Sequence, residues 1–178
     1  MDLAILARIN HQISLSLSDL KKLFGKGELV SISKYLDERL VLFVNAGTRD
    51  EALMQLVDLL ERSGKLKNRQ QFHDAILERE KIVSTGIGLG VAIPHAKLQG
   101  YTDFFIAVGI QAKEGIEWNA LDGAPVRLIF MIGGPDNKQT EYLKILSHLT
   151  MAIKNEERRK KLLKMFEPAG VLRLFTGC

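Results

Sequence analysis

The run from Val126 to Ile132, VRLIFMI, restricts the fold of this chain more than any other segment. It is short enough for a strand, and its apolar character suits a central strand, buried on both faces. Such a strand needs helices on each side of its sheet, and segments with helical periodicity bracket it. Thr48-Arg49-Asp50-Glu51 has the form of a capping box and opens a helix with Leu53, Leu56, Val57 and Leu60 at helical spacing, closed by Gly64. A second helix starts near Asn68 and carries Phe72, Ala75, Ile76 and Arg79. Leu143, Leu146, Leu149 and Ile153 mark a third, and Asn155 with Glu156 and Glu157 caps a fourth that Pro168 and Gly170 stop. Arg39 to Val44 and Phe104 to Gln111 read as further strands, and Gly133-Gly134-Pro135 ends the central one. Helices and strands alternate, which predicts an α/β domain whose sheet is covered by helices on both faces.

A chain of 178 residues suits one such domain with a single sizeable core. Met1 to Gly27 reads as an appendage, its best structured piece a short helix from the Ser18 cap to Gly25, so the expected division is an N-terminal extension over 1–28 and the domain over 29–178. No apolar run approaches the roughly 20 residues of a membrane helix, and the first residues lack the basic region of a secretory signal, which argues against membrane insertion and for a cytoplasmic setting. Cys178, the only cysteine, excludes an internal disulfide and any Cys-based metal site. The four histidines, His11, His73, His95 and His148, show no HxH or HExxH spacing, so a metal-dependent enzyme is not expected. The net charge of +4 comes largely from the cluster between Lys154 and Lys164, which reads as a solvated helix face and, without interleaved aromatics, does not predict nucleic-acid binding.

Chemistry concentrates in Glu80 to Lys97, EKIVSTGIGLGVAIPHAK. Val91, Ala92 and Ile93 form a brief buried extended segment, and Pro94 stiffens its exit by fixing its own φ and biasing Ile93 away from helix. His95 then sits where strand gives way to loop. An imidazole there is expected to be half exposed, with an ordinary pKa of about 6.5 and a bare outer nitrogen, a nucleophile near neutral pH. The glycines between Gly86 and Gly90 match neither GxGxxG nor a Walker motif, so no nucleotide cofactor is predicted; they suit a tight turn beneath the histidine.

Glu80, Ile87-Gly88 and Val91-Ala92-Ile93-Pro94-His95-Ala96 resemble the active-site signature of the fructose/mannitol-type enzyme IIA domains of the bacterial phosphotransferase system. Ser84-Thr85-Gly86-Ile87-Gly88 with Ala92-Ile93-Pro94-His95 and Lys97 is most similar to the nitrogen-regulatory branch. A second block, Gly115 to Val126, is similar to the family's second shared stretch, and the resemblance runs from about Ile32 to about Phe166. It implies a mixed rather than all-parallel sheet and a type-2 phosphotransferase domain. It also implies a phosphohistidine at Nε2 of His95, charged from a small phosphocarrier protein of the HPr type, with Arg79 stabilising the phosphoryl charge. Thr85, or backbone N–H groups of the glycine turn, would be supporting contacts.

One departure stands out. The family pattern has a second histidine in the third long helix, and by ungapped matching its place is taken by Tyr142. Tyr142 can offer a hydrogen bond to His95 or its phosphate but no positive charge. His148, six residues on and about 240° round the helix, faces elsewhere. His73 reads as a surface histidine and His11 as incidental. Two roles follow from the resemblance: a phosphorylation switch of nitrogen-regulatory type acting on a kinase or transporter, or a sugar-transport carrier passing the phosphoryl group to a separate IIB component. No IIB-like segment with its own nucleophile is evident in the sequence, which tilts the expectation toward the regulator.

Overall fold

In the computed structural model, residues 31–111 and 114–177 are described. The short helix expected from Ser18 to Gly25, His11, the division near residue 28 and Cys178 lie outside them. Two 3-10 turns, Ile32–Tyr35 and Glu38–Leu40, precede β1 (Val41–Val44). The helical pair α1 (Arg49–Arg62) and α2 (Arg69–Ile82) follows, and then the short strands β2 (Gly86–Gly88), β3 (Val91–Ala92) and β4 (His95–Leu98). The long strands β5 (Phe105–Gln111) and β6 (Leu128–Pro135) come next, and α3 (Gln139–Lys154), α4 (Glu156–Leu162) and α5 (Pro168–Arg173) close the chain.

The helices begin where local chemistry directs them. Thr48 Oγ1 accepts the Glu51 N–H at 3.2 Å, while the Glu51 carboxylate reaches past the cap to accept the Gly47 N–H at 2.8 Å. Asn68 and Asn155 cap α2 and α4 by accepting the Gln71 and Arg158 N–H groups. Three boundaries differ from the sequence reading. Arg39 and Leu40 belong to a 3-10 turn because Asp37 accepts the Arg39 N–H, so β1 starts at Val41. Pro168 opens α5 from its first turn instead of stopping α4, a position where its missing N–H costs nothing. Finally, β6 runs on through Gly133 and Gly134 to Pro135.

The six strands form one mixed sheet in the order β1-β5-β6-β3-β2, with β4 also paired to β6. β1 runs parallel to β5, β5 antiparallel to β6, and β3 and β4 both parallel to β6. Alternation along β6 sends Leu128, Phe130 and Ile132 into one apolar cluster with Leu143, Ile145, Leu146 and Leu149 of α3. Ile129 and Met131 enter the other, with Leu53, Leu56 and Val57 of α1 and Phe72 and Ile76 of α2. Every residue of β5 and β6 is buried, so the sheet lies between α1 and α2 on one face and α3 to α5 on the other, the single-domain α/β architecture expected. Among the described residues, no helix is long and apolar enough to cross a membrane.

The basic cluster is not simply a solvated face. Arg158 donates to the Ala152 carbonyl at 2.7 Å and the Leu174 carbonyl at 2.8 Å, and Arg159 donates to the carbonyls of Ile153 and Lys154. The open carbonyl end of α3 is thus satisfied by two guanidinium groups from the next helix.

Candidate active site

β3, Ile93, Pro94 and β4 make one extended line along β6, interrupted at Pro94, which has no N–H to give. The Pro94 carbonyl still accepts from Ile132 N–H at 2.9 Å, and Ile93 N–H turns to the Thr85 carbonyl at 3.0 Å. Beyond the interruption, His95 pairs with Ile132 and opens β4, so it heads a strand instead of a loop. Two glycines allow this pairing. A Cβ at Gly133 would lie 2.3 Å from the Phe105 ring, and one at Gly134 would lie 2.3 Å from that of Phe104, so β6 continues only because both residues lack one.

Side chains alternate across a strand. His95 and Lys97 therefore share a face while Ala96 joins the cluster beneath α1 and α2. A pocket of about 270 Å³ is lined by Ala75 and Arg79 of α2, His95, Ala96 and Lys97 of β4, and Gln139 and Tyr142 of α3. It lies beside β4, where the helical layers of the two faces come together.

Within it the His95 ring is fixed at both nitrogens. Nδ1 lies 3.0 Å from the Ile93 carbonyl, which can only accept, so Nδ1 carries the proton. Nε2 accepts from Arg79 Nε at 3.0 Å. Both bonds select the same neutral tautomer, with its lone pair on Nε2. The outer nitrogen is therefore covered, not bare as the sequence reading has it. The imidazole also departs from its ordinary titration: desolvation, then the positive charge of Arg79, and more weakly Lys97, lower its pKa to about 3 against the opposing Ile93 hydrogen bond.

Arg79 leaves the last turns of α2 half-buried and holds a second acceptor, the Val83 carbonyl, through Nη1 at 3.0 Å. Burial lowers its pKa, while Tyr142 and Glu80 act in the opposite direction. Lys97 brings a second cation that the sequence reading does not assign to the site. Its Nζ donates to Gln139 Oε1 and lies 4.4 Å from the centroid of the Tyr142 ring. Its spacing of two from His95 on a strand is the sequence signal for it; Gln139 has none, since only the packing of α3 brings it there.

The other sequence candidates are placed differently. Thr85 is buried and committed elsewhere: its hydroxyl donates to Glu80 Oε2 at 2.6 Å and its N–H to Glu80 Oε1 at 2.9 Å. Trp118 Nε1 completes this clasp at 3.1 Å from Glu80 Oε1, so Thr85 supports the loop beneath the site and does not line the pocket. The second sequence block folds over the same loop, with Leu121 N–H donating to the Gly86 carbonyl at 3.0 Å. Tyr142 does line the pocket; its ring is centred 5.5 Å from the His95 ring, and its hydroxyl makes no bond to His95. His73 and His148 do not line the pocket.

The profile of the family described as "Phosphoenolpyruvate-dependent sugar phosphotransferase system, EIIA 2" matches residues 34–177. A fructose-specific EIIABC component of the phosphotransferase system from Bacillus subtilis is 39% identical over 123 residues, which is 69% of this chain and 19% of that protein. The chain thus spans about a fifth of that relative's length. A crystal structure of nitrogen regulatory protein IIA-Ntr from Neisseria meningitidis superposes with a TM-score of 0.74 at 31% identity, covering 81% of this chain and 98% of that one. The mannitol IIA enzyme from Escherichia coli, solved in complex with phosphorylated IIB, shares the fold with a TM-score of 0.68 at 21% identity, covering 80% of this chain and 98% of that one.

Proposed function

The chain belongs to the EIIA type 2 family of the phosphoenolpyruvate-dependent sugar phosphotransferase system, a family of phosphotransfer proteins, and from that premise we propose that His95 carries a phosphoryl group on Nε2. The observation that carries this reading is the pair of hydrogen bonds on the ring: the Ile93 carbonyl holds the proton on Nδ1, so the lone pair is on the nitrogen that faces a guanidinium in a pocket. The donor is a phosphohistidine on a small phosphocarrier protein of the HPr type. The Nε2 lone pair attacks phosphorus and forms the new N–P bond as the donor's N–P bond breaks, the donor nitrogen keeping that electron pair. The proton stays on Nδ1, donated to the Ile93 carbonyl, throughout.

Such a transfer asks for in-line approach and stabilisation of charge on the three equatorial oxygens. Arg79 supplies the charge, and it must first leave Nε2. Its fork moves from the lone pair to the phosphoryl oxygens, which makes it both the cover of the nucleophile and the stabiliser of the product.

Downstream, we favour a nitrogen-type regulator acting in the cytoplasm. Phosphorylation replaces a neutral ring edge with up to about two negative charges and so selects a partner such as a kinase or transporter. The likeness to a nitrogen regulatory protein at 31% identity supports this. The fructose-specific relative at 39% identity favours the second reading, a sugar-transport carrier that discharges to a IIB component.

Incubation with phosphoenolpyruvate and the general phosphotransferase proteins tests the acceptor role. One acid-labile, base-stable phosphate is expected on the wild type and none on His95→Ala. Added IIB proteins then separate the readings: a carrier discharges to one of them at a useful rate, and a regulator does not.

A further inference from the structure

Tyr142 is 1% exposed, and its hydroxyl is buried with no hydrogen-bond partner among the described residues. Its ring has every contact it needs: it stacks on Phe104 at 6.1 Å between centroids, lies beside His95 and carries Lys97 over its face. Phenylalanine would make the same ring contacts and avoid burying an orphan donor, which buried polar groups rarely remain. The residue also lines the pocket that holds His95, Arg79 and Lys97. Among the described residues of the unphosphorylated protein, none gives the oxygen a partner.

We propose that the Tyr142 hydroxyl is a binding group for the phosphoryl group, unsatisfied while His95 is unmodified and completed by donating to a phosphoryl oxygen once Nε2 carries phosphate. The inference rests on His95 being the acceptor and assigns a partner to a third group of the same site. Burial raises the pKa of this phenol above its ordinary value despite the Arg79 charge, so it remains a donor throughout the physiological range. It differs in kind from its neighbours. Arg79 and Lys97 attract any anion that enters, whereas a neutral donor fixed by its own ring packing favours an oxygen at one place, and a bond to an ionised oxygen is among the stronger hydrogen bonds. The contact forms and breaks no covalent bond, and the O–H proton stays on Tyr142.

Because the bond exists only in the phosphorylated protein, its contribution is a coupling between the hydroxyl and the phosphate. Tyr142→Phe is the test. Wild type and variant are each equilibrated with the phosphorylated phosphocarrier protein, and the phosphorylated fraction is read once it stops changing. The equilibrium constant for loading should fall by about tenfold in the variant, while the melting temperature of the unphosphorylated variant stays level or rises. An unchanged equilibrium constant would overturn the proposal, as would an unphosphorylated variant that melts well below wild type, since that would mean the oxygen already has a structural partner. If wild type takes no phosphate on His95, the acceptor reading fails and this one with it; wild type loaded equally with the variant overturns this one alone.

Discussion

Arg79 donates from Nε to Nε2 of His95 at 3.0 Å, closing off the one ring nitrogen that has a lone pair. A guanidinium at that position does two opposed things. It aligns the imidazole and lowers its proton affinity, and it also stands in the path of any electrophile. The resting site is therefore poised but covered, and the exchange of one hydrogen bond for contacts to an incoming phosphoryl group is what opens it.

Arg79→Lys separates the chemical role of this residue from its structural one. A lysine keeps the charge but cannot hold the Val83 carbonyl and the phosphoryl oxygens with one planar fork. The phosphorylation rate should fall by about a hundredfold. Loss of the bond to the Val83 carbonyl should lower the melting temperature by no more than about 4 °C. Rapid mixing and thermal melts on the same preparation measure both, and a large drop in melting temperature with an unaltered rate would assign Arg79 to folding.

His95 makes the protein acid-sensitive in a defined window. Its native pKa of about 3 lies below the ordinary imidazole value of about 6.5, so between the two the unfolded chain binds a proton that the native ring refuses. Stability should fall as pH drops from about 6.5 toward about 3, more steeply in wild type than in His95→Gln. Melting curves of the two proteins across that range give the comparison; parallel pH dependences would contradict the depressed pKa. In the same terms, His95 should remain a competent nucleophile down to about pH 5 once titration of the donor is accounted for.

The clasp beneath the site is tested by Glu80→Gln. Both carboxylate oxygens of Glu80 accept, from the Thr85 N–H, the Thr85 hydroxyl and Trp118 Nε1. An amide keeps Oε1 on the two N–H donors only by turning its NH₂ to Thr85 Oγ1, which must then accept instead of donate. The exchange of carboxylate bonds for neutral ones should cost about 2 kcal/mol, or about 4–8 °C in melting temperature. Chemical denaturation reads this directly, and a variant as stable as wild type would show the clasp to be dispensable.

Gly86→Ala probes the packing of the second sequence block on the glycine turn. An added Cβ would sit 2.8 Å from Ala120 Cα, a backbone atom that cannot rotate aside. Destabilisation of about 1–3 kcal/mol is expected in urea unfolding; a neutral result would mean that the 115–126 segment moves freely over the turn.

How far the sequence discloses this molecule depends on the range of each interaction. The caps at Thr48, Asn68 and Asn155 lie within three residues of the N–H groups they satisfy, so local pattern finds them. The continuation of β6 does not follow from local pattern, because Gly-Gly-Pro reads as a break until Phe104 and Phe105 are known to need the room. The same holds for Arg158 and Arg159, whose acceptors belong to the preceding helix and the chain end. At the site, His95 and Arg79 are sixteen residues apart on a strand and a helix, and only family resemblance pairs them in advance. Desolvation of the half-buried ring by elements from both layers, which lowers its pKa, is a tertiary effect that a rule for strand ends cannot contain.

The most direct test of the central claim is nitrogen NMR of isotope-labelled histidine after incubation with phosphoenolpyruvate and the general phosphotransferase proteins. A phosphorus coupling on Nε2 of His95, with Nδ1 still protonated, is the result that the tautomer and the Arg79 contact require. Phosphate on Nδ1, on another residue, or nowhere on the protein would contradict it.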